Sequence, residues 1–154
     1  MNLLLCAAYV AIIGIVSNPL GNLLPRKWFD PEKFPYCVFS WEQDGRIYEK
    51  IHIRAWKDLL PDMSKINSDM VRKEVGPRPT AAHLDRLARE ACVAEFVHWL
   101  LIILSLAVLK IWKGLGGWIC YGLCILGNLP FIIIQRYNRP RLVRTMHRLK
   151  SRAT

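Results

Sequence analysis

Two groups of residues in this 154-residue chain have the types and spacing to do chemistry. The first is Glu95-x-x-His98. Residues three apart on a helix are neighbours on one face, so the carboxylate and the imidazole can meet. A Glu can hold an imidazole in one tautomer while the other ring nitrogen takes a proton from a hydroxyl nucleophile. The same pair also suits a plain hydrogen bond at a helix boundary. The second group is Gln135-Arg136-Tyr137-Asn138-Arg139-Pro140-Arg141-Leu142. It sets amides, guanidiniums and a phenol directly after an apolar run. Planar donors of this kind can hold a polar head group or an anion in two-pronged fashion. They also fit the basic flank that commonly follows a membrane span.

Both groups lie beside segments that point to a membrane. Over half the residues are hydrophobic, yet the net charge is +10. Apolar stretches run from Leu3 to Leu24, Ala91 to Trp112 and Trp118 to Ile134. A hydrocarbon core about 30 Å thick needs roughly 20 helical residues. The first two stretches have that length, and the third reaches it if it starts near Gly114. The acids all fall between Asp30 and Glu95. Lys and Arg cluster between Arg26 and Arg89 and again from Arg136 onward, and only Lys110 and Lys113 separate the second and third stretches. The positive-inside rule then places residues 25–90 and the tail from 135 to 154 in the cytoplasm, with the N-terminus and the Lys113–Gly117 turn outside. Met1-Asn2 gives no basic n-region and no Ala-x-Ala site closes the first stretch, so residues 1–17 are expected to remain as a helix rather than a cleaved signal.

The expected fold is an all-α membrane protein of one domain, with three transmembrane helices over about 3–24, 91–112 and 114–134. A small cytoplasmic insert, 25–90, carries a β-hairpin over Tyr36–Ile53. Asp44-Gly45 is a two-residue turn signal, and Phe39, Trp41, Ile47, Ile51 and Ile53 alternate around it. An amphipathic piece from Arg54 to Leu60 follows, stopped by Pro61, and then a polar loop through Gly76-Pro77-Arg78-Pro79. A helix starting at Thr80 or Ala81 should run unbroken into the second span, because Leu84, Leu87, Ala88 and Ala91 recur at steps of three or four. The five cysteines make no C-x-x-C and read as small buried hydrophobes. E-x-x-H metal sites in helical bundles need a second such motif and further Glu ligands. This chain has neither, so no metal is expected.

The set Gly45-x-x-Tyr48-x-Lys50, Arg54-x-Trp56-Lys57, Glu95-x-x-His98-Trp99 and Asn128-x-Pro130-x-Ile132-Ile133-x-Gln135-Arg136-Tyr137-Asn138-Arg139-Pro140-Arg141-Leu142 resembles the glycosyl-4,4'-diaponeurosporenoate acyltransferase family. These are small bacterial membrane proteins that esterify a fatty acyl chain onto the sugar of a carotenoid glycoside, the last step to staphyloxanthin. The match runs in patches from about Leu24 to Leu142. It implies a multi-pass enzyme of the bacterial cell membrane, with a membrane glycolipid as acceptor and acyl-CoA or an acyl carrier protein as donor, and no further cofactor. On that reading His98 is the general base and Glu95 its orienting partner. Arg136 and Arg139, with Arg54 and Lys57, hold the donor's phosphate or thioester region. Asn128, Gln135 and Asn138 hydrogen-bond the sugar or the carbonyl. An oxyanion hole is required as well.

Two other classes fit the same residues. A small membrane methyltransferase also places polar groups at helix ends and would bind S-adenosylmethionine. A non-catalytic protein would use the basic tail, Arg139 to Arg152, to hold anionic lipid. Nucleic acid is a poor partner despite the charge, because the basic residues flank apolar spans.

Overall fold

A computed structural model describes residues 1–60 and 79–152. The described chain is mostly helical. Its helices are α1 (Asn2–Leu23), α2 (Ile53–Trp56), α3 (Ala81–Ser105), α4 (Val108–Ile111) and α5 (Leu115–Ser151), with 3₁₀ turns at Arg26–Trp28, Ser40–Ile51 and Lys57–Leu59. The expected stop at Pro61 and most of the expected polar loop lie outside the described residues.

Three helical stretches are long and apolar enough to cross a membrane: Asn2–Leu23, Ala81–Ile111 and Leu115–Ser151. Leu4, Ile15, Leu123 and Leu126 are among their exposed side chains. Such faces suit lipid and not water, and helices satisfy their own backbone groups there. The chain therefore has the build of a membrane protein. Helix α3 runs from Ala81 without a break into the apolar stretch, as its spacing implies. Thr80 caps it: its Oγ1 accepts from His83 N–H at 3.2 Å and its carbonyl from Leu84 N–H at 3.1 Å. The stripe Leu84, Leu87, Ala88 and Ala91 is buried, and Glu95 continues it at 3 % exposure.

Two compact units divide the chain. The apolar unit comprises Met1–Leu24 and Ala94–Ile132. Within it Tyr9 donates its hydroxyl to the Leu104 carbonyl at 2.9 Å, tying α1 to α3. The turn after α4 depends on glycine: Gly114 sits at φ 83°, and a Cβ on Gly117 would fall 1.9 Å from the Trp112 carbonyl oxygen.

The polar unit comprises the described residues of Pro25–Val93 and Ile133–Thr154. Its core packs Tyr48, Ile53 and Tyr137 with Ile47, Trp56, Ile133 and Ile134. The expected β-hairpin is absent: among the described residues there is no strand. Asp44-Gly45 does turn the chain, and Gln43, Asp44 and Gly45 all take left-handed φ values of 50°, 58° and 83°. The flanks coil instead of pairing. Their buried positions are Glu42, Gly45 and Tyr48, spaced every three residues. A strand would bury every second residue; here three left-handed residues in a row separate two short 3₁₀ segments. Trp41 and Ile51, needed for the alternation, are exposed. The expected amphipathic piece from Arg54 is the single turn α2 followed by 3₁₀ structure.

Candidate functional site

In the apolar unit, His98 of α3 and Asn128 of α5 meet across two helices. His98 Nδ1 lies 2.9 Å from Asn128 Oδ1. The Asn128 amide nitrogen donates to the Cys124 carbonyl at 2.8 Å. Phe131, on the same face of α5 as Asn128, stacks on the imidazole with centroids 4.6 Å apart and planes 8° from parallel. An imidazole held this way in an apolar span has a fixed plane and a fixed edge. Glu95 is buried one turn earlier on α3. The sequence reading gave Asn128 to the substrate; the structure brings it to His98.

The polar unit holds the C-terminal block. Arg136 is 9 % exposed and Glu42 2 % exposed. Arg136 Nε meets Glu42 Oε1 at 2.6 Å and its Nη2 meets Oε2 at 2.7 Å, a two-pronged pair. Nη1 donates to the Pro35 carbonyl at 3.3 Å and Nη2 to that of Cys37 at 3.2 Å. The guanidinium also lies 4.6 Å over the Phe39 ring. Glu42 accepts in addition from Tyr48 Oη at 2.5 Å and from the Phe39 N–H at 2.8 Å. Burial raises the Glu42 carboxyl, but Arg136, Tyr48 and the Phe39 N–H outweigh it and hold it below the usual carboxylate range. Burial and then the bond to Glu42 push the Tyr48 phenol up. The planar fork expected at Arg136 is thus in use, and it faces a carboxylate of this chain.

Arg54 and Arg141 share Glu49, at 2.6 and 2.8 Å. Arg54 Nε also donates to the Tyr137 hydroxyl at 3.1 Å, and the Arg141 guanidinium lies 3.5 Å over the Tyr137 ring. Two cations on one carboxylate leave an excess of positive charge on a partly exposed surface. Lys57 pairs with its neighbour Asp58 at 2.8 Å. Arg139 is 2 % exposed, lies 5.6 Å over the Tyr36 ring and lines a cleft of about 270 Å³ with Glu32, Asp44, Pro140 and Arg144. Gln135 is buried and Asn138 half-buried. Glu42, Glu49 and Phe131 were not singled out in the sequence; the one local signal for Glu42 is an acid placed directly after the aromatic run Phe39-Ser40-Trp41. All five cysteines are free. Among the described residues no group of three or more His, Cys, Asp or Glu is placed to hold a metal ion.

No solved structure matches the chain. The sequence model for glycosyl-4,4'-diaponeurosporenoate acyltransferase matches residues 25–148. Among curated proteins, the glycosyl-4,4'-diaponeurosporenoate acyltransferase of Staphylococcus aureus strain bovine RF122 / ET3-1 is 29% identical over 148 residues, which is 96% of this chain and 89% of the relative. The enzymes of the same name from strains N315 and USA300 are 28% and 29% identical with the same coverage. The family match spans both the His98 region and the Arg136 block, and the chain belongs to the glycosyl-4,4'-diaponeurosporenoate acyltransferase family, as an acyltransferase.

Proposed function

We propose that this protein transfers a long-chain fatty acyl group to a sugar hydroxyl of a membrane glycolipid, a carotenoid glycoside, in a bacterial cell membrane. The single observation that carries the chemistry is the imidazole of His98, half-buried in an apolar span and held at Nδ1 by Asn128. His98 Nε2 takes the proton of the sugar hydroxyl as its oxygen attacks the donor's thioester carbonyl. The tetrahedral intermediate then collapses, the carbon–sulfur bond breaks, and the proton passes from the imidazolium to the leaving thiolate. Glu95 stabilises the imidazolium by its charge. Arg54, Lys57 and Arg139 meet the anionic part of the donor, whether acyl-CoA or an acyl carrier protein. Gln135 and Asn138 serve the sugar or the carbonyl, and Arg136 supports that block through Glu42. The polar unit and the tail face the cytoplasm, where such donors are found.

Mass spectrometry of lipid extracts from cells that make the acceptor glycoside tests this reading. Cells with the protein should contain an O-acylated glycoside, and cells without it or with His98→Ala should accumulate the unacylated one. Identical extracts with and without the protein would overturn it.

A further inference from the structure

We infer that Asn128 is a positioning residue that fixes the tautomer of His98, and not a ligand for the sugar. The inference rests on the reading of His98 as the base. Its argument is the direction of a short chain of hydrogen bonds. The Cys124 carbonyl can only accept, so the Asn128 atom 2.8 Å from it is the donating nitrogen. The amide oxygen therefore faces His98, and at 2.9 Å from Nδ1 it too can only accept. Nδ1 must then carry the proton. In a neutral imidazole this puts the lone pair on Nε2, which is the nitrogen a hydroxyl proton needs.

Phe131 completes the device. It lies 4.6 Å from the imidazole and nearly parallel to it, so it sets the ring plane while Asn128 sets rotation within it. Asn128 follows Cys124 by four residues and precedes Phe131 by three, so one face of α5 supplies all three contacts. An aspartate would give the same acceptor to Nδ1 but would lose the donor toward Cys124. An amide is the side chain that satisfies a carbonyl on one side and an imidazole N–H on the other.

The test joins spectroscopy with kinetics on the full chain in lipid nanodiscs. The chain has four histidines, so nitrogen-15 spectra of histidine-labelled protein can be assigned with His98→Gln. Wild type should show His98 protonated at Nδ1, and Asn128→Leu should show mixed tautomers. Asn128→Leu should lower kcat about 10- to 100-fold, a part of what a general base supplies, with KM for the glycoside within about twofold. Asn128→Asp should retain more kcat than Asn128→Leu. In a His98→Ala background, Asn128→Leu should cost nothing further. A lone pair on Nδ1 in wild type, a rise in KM at unchanged kcat, or an added loss in the His98→Ala background would each overturn the inference. The tautomer spectra do not depend on turnover, so they decide it even in a protein whose His98→Ala variant keeps its activity; that outcome would sink the base reading alone.

Discussion

In the apolar unit His98 meets the Asn128 amide and the Phe131 ring, while in the polar unit the Arg136–Glu42 pair is held by Pro35, Cys37, Phe39 and Tyr48. Both are polar groups taken out of water. The difference lies in what remains to be done by each. Every contact of the Glu42–Arg136 pair favours its charged form and ties Pro35, Cys37 and Phe39 to α5. Breaking such a pair leaves a buried charge, which is why it fixes one arrangement of the chain. Around His98 an amide oxygen meets Nδ1 and a stacked ring sets the plane of the imidazole. One region ties distant segments to α5, the other holds a single imidazole between two helices.

Substitutions can break that contrast. The largest effect is expected for His98→Ala, which should cut turnover by roughly 100- to 10,000-fold while expression and membrane insertion stay normal. Near-normal ester formation in that variant would erase the distinction between the two regions. Glu42→Ala should behave in the opposite way. Loss of one partner from a buried ion pair costs about 3–5 kcal/mol, so thermal unfolding of the purified protein should shift sharply downward. An unchanged melting curve would show that the pair holds nothing together.

A subtler form of the same test uses pH. The Glu42 carboxyl is held below its ordinary value in the folded protein. Its contribution to stability is therefore fully present above the unfolded value and is lost as pH falls through the folded value. Melting temperature should drop on acidification below about pH 4, the range of an ordinary carboxylate, and Glu42→Gln should flatten that drop. An equally steep acid transition in Glu42→Gln would assign it to other carboxylates.

Smaller effects sharpen the comparison. Gly45 sits at φ 83° with its Cβ position 3.2 Å from the Tyr137 carbonyl oxygen. A left-handed residue other than glycine costs about 1–2 kcal/mol, so Gly45→Ala should destabilise modestly and should not change KM. Smallest of all, Arg148→Lys, in the last turn of α5, should be silent in both activity and stability. Arg136→Lys should not be, because it keeps the charge and loses the fork on Glu42 and the bonds to Pro35 and Cys37. Equal behaviour of the two Lys variants, measured by melting, would reduce the block to a basic membrane flank.

The spans were legible because lipid imposes a simple rule, length and apolarity, on consecutive residues. Helix α3 was legible for a related reason: Leu84, Leu87, Ala88 and Ala91 repeat at the helical step, and Thr80 is a good cap. The segment around Asp44-Gly45 misled. Its turn is real, but Phe39, Trp41, Ile47 and Ile51 alternate by accident of composition. Glu42 and Tyr48 fold inward because Arg136 is there to receive them, and Arg136 lies 94 positions away in the sequence. No local propensity carries that information. His98 stood out as an ionisable group near hydrocarbon. Its recorded neighbour at Nδ1, Asn128, is 30 residues distant on another helix.

By itself the sequence determined three apolar helices, the excess of positive charge outside them, and a family-specific set of polar residues at their ends. Each follows from residue type and short-range spacing, which a chain carries whatever its tertiary fold. Only the tertiary structure decided that the Arg136 fork closes on Glu42, that Arg54 and Arg141 share Glu49, and that an amide and a phenyl ring hold His98. Those depend on pairs brought together from distant positions, where the loss of water leaves each polar group to find the one partner that its geometry accepts.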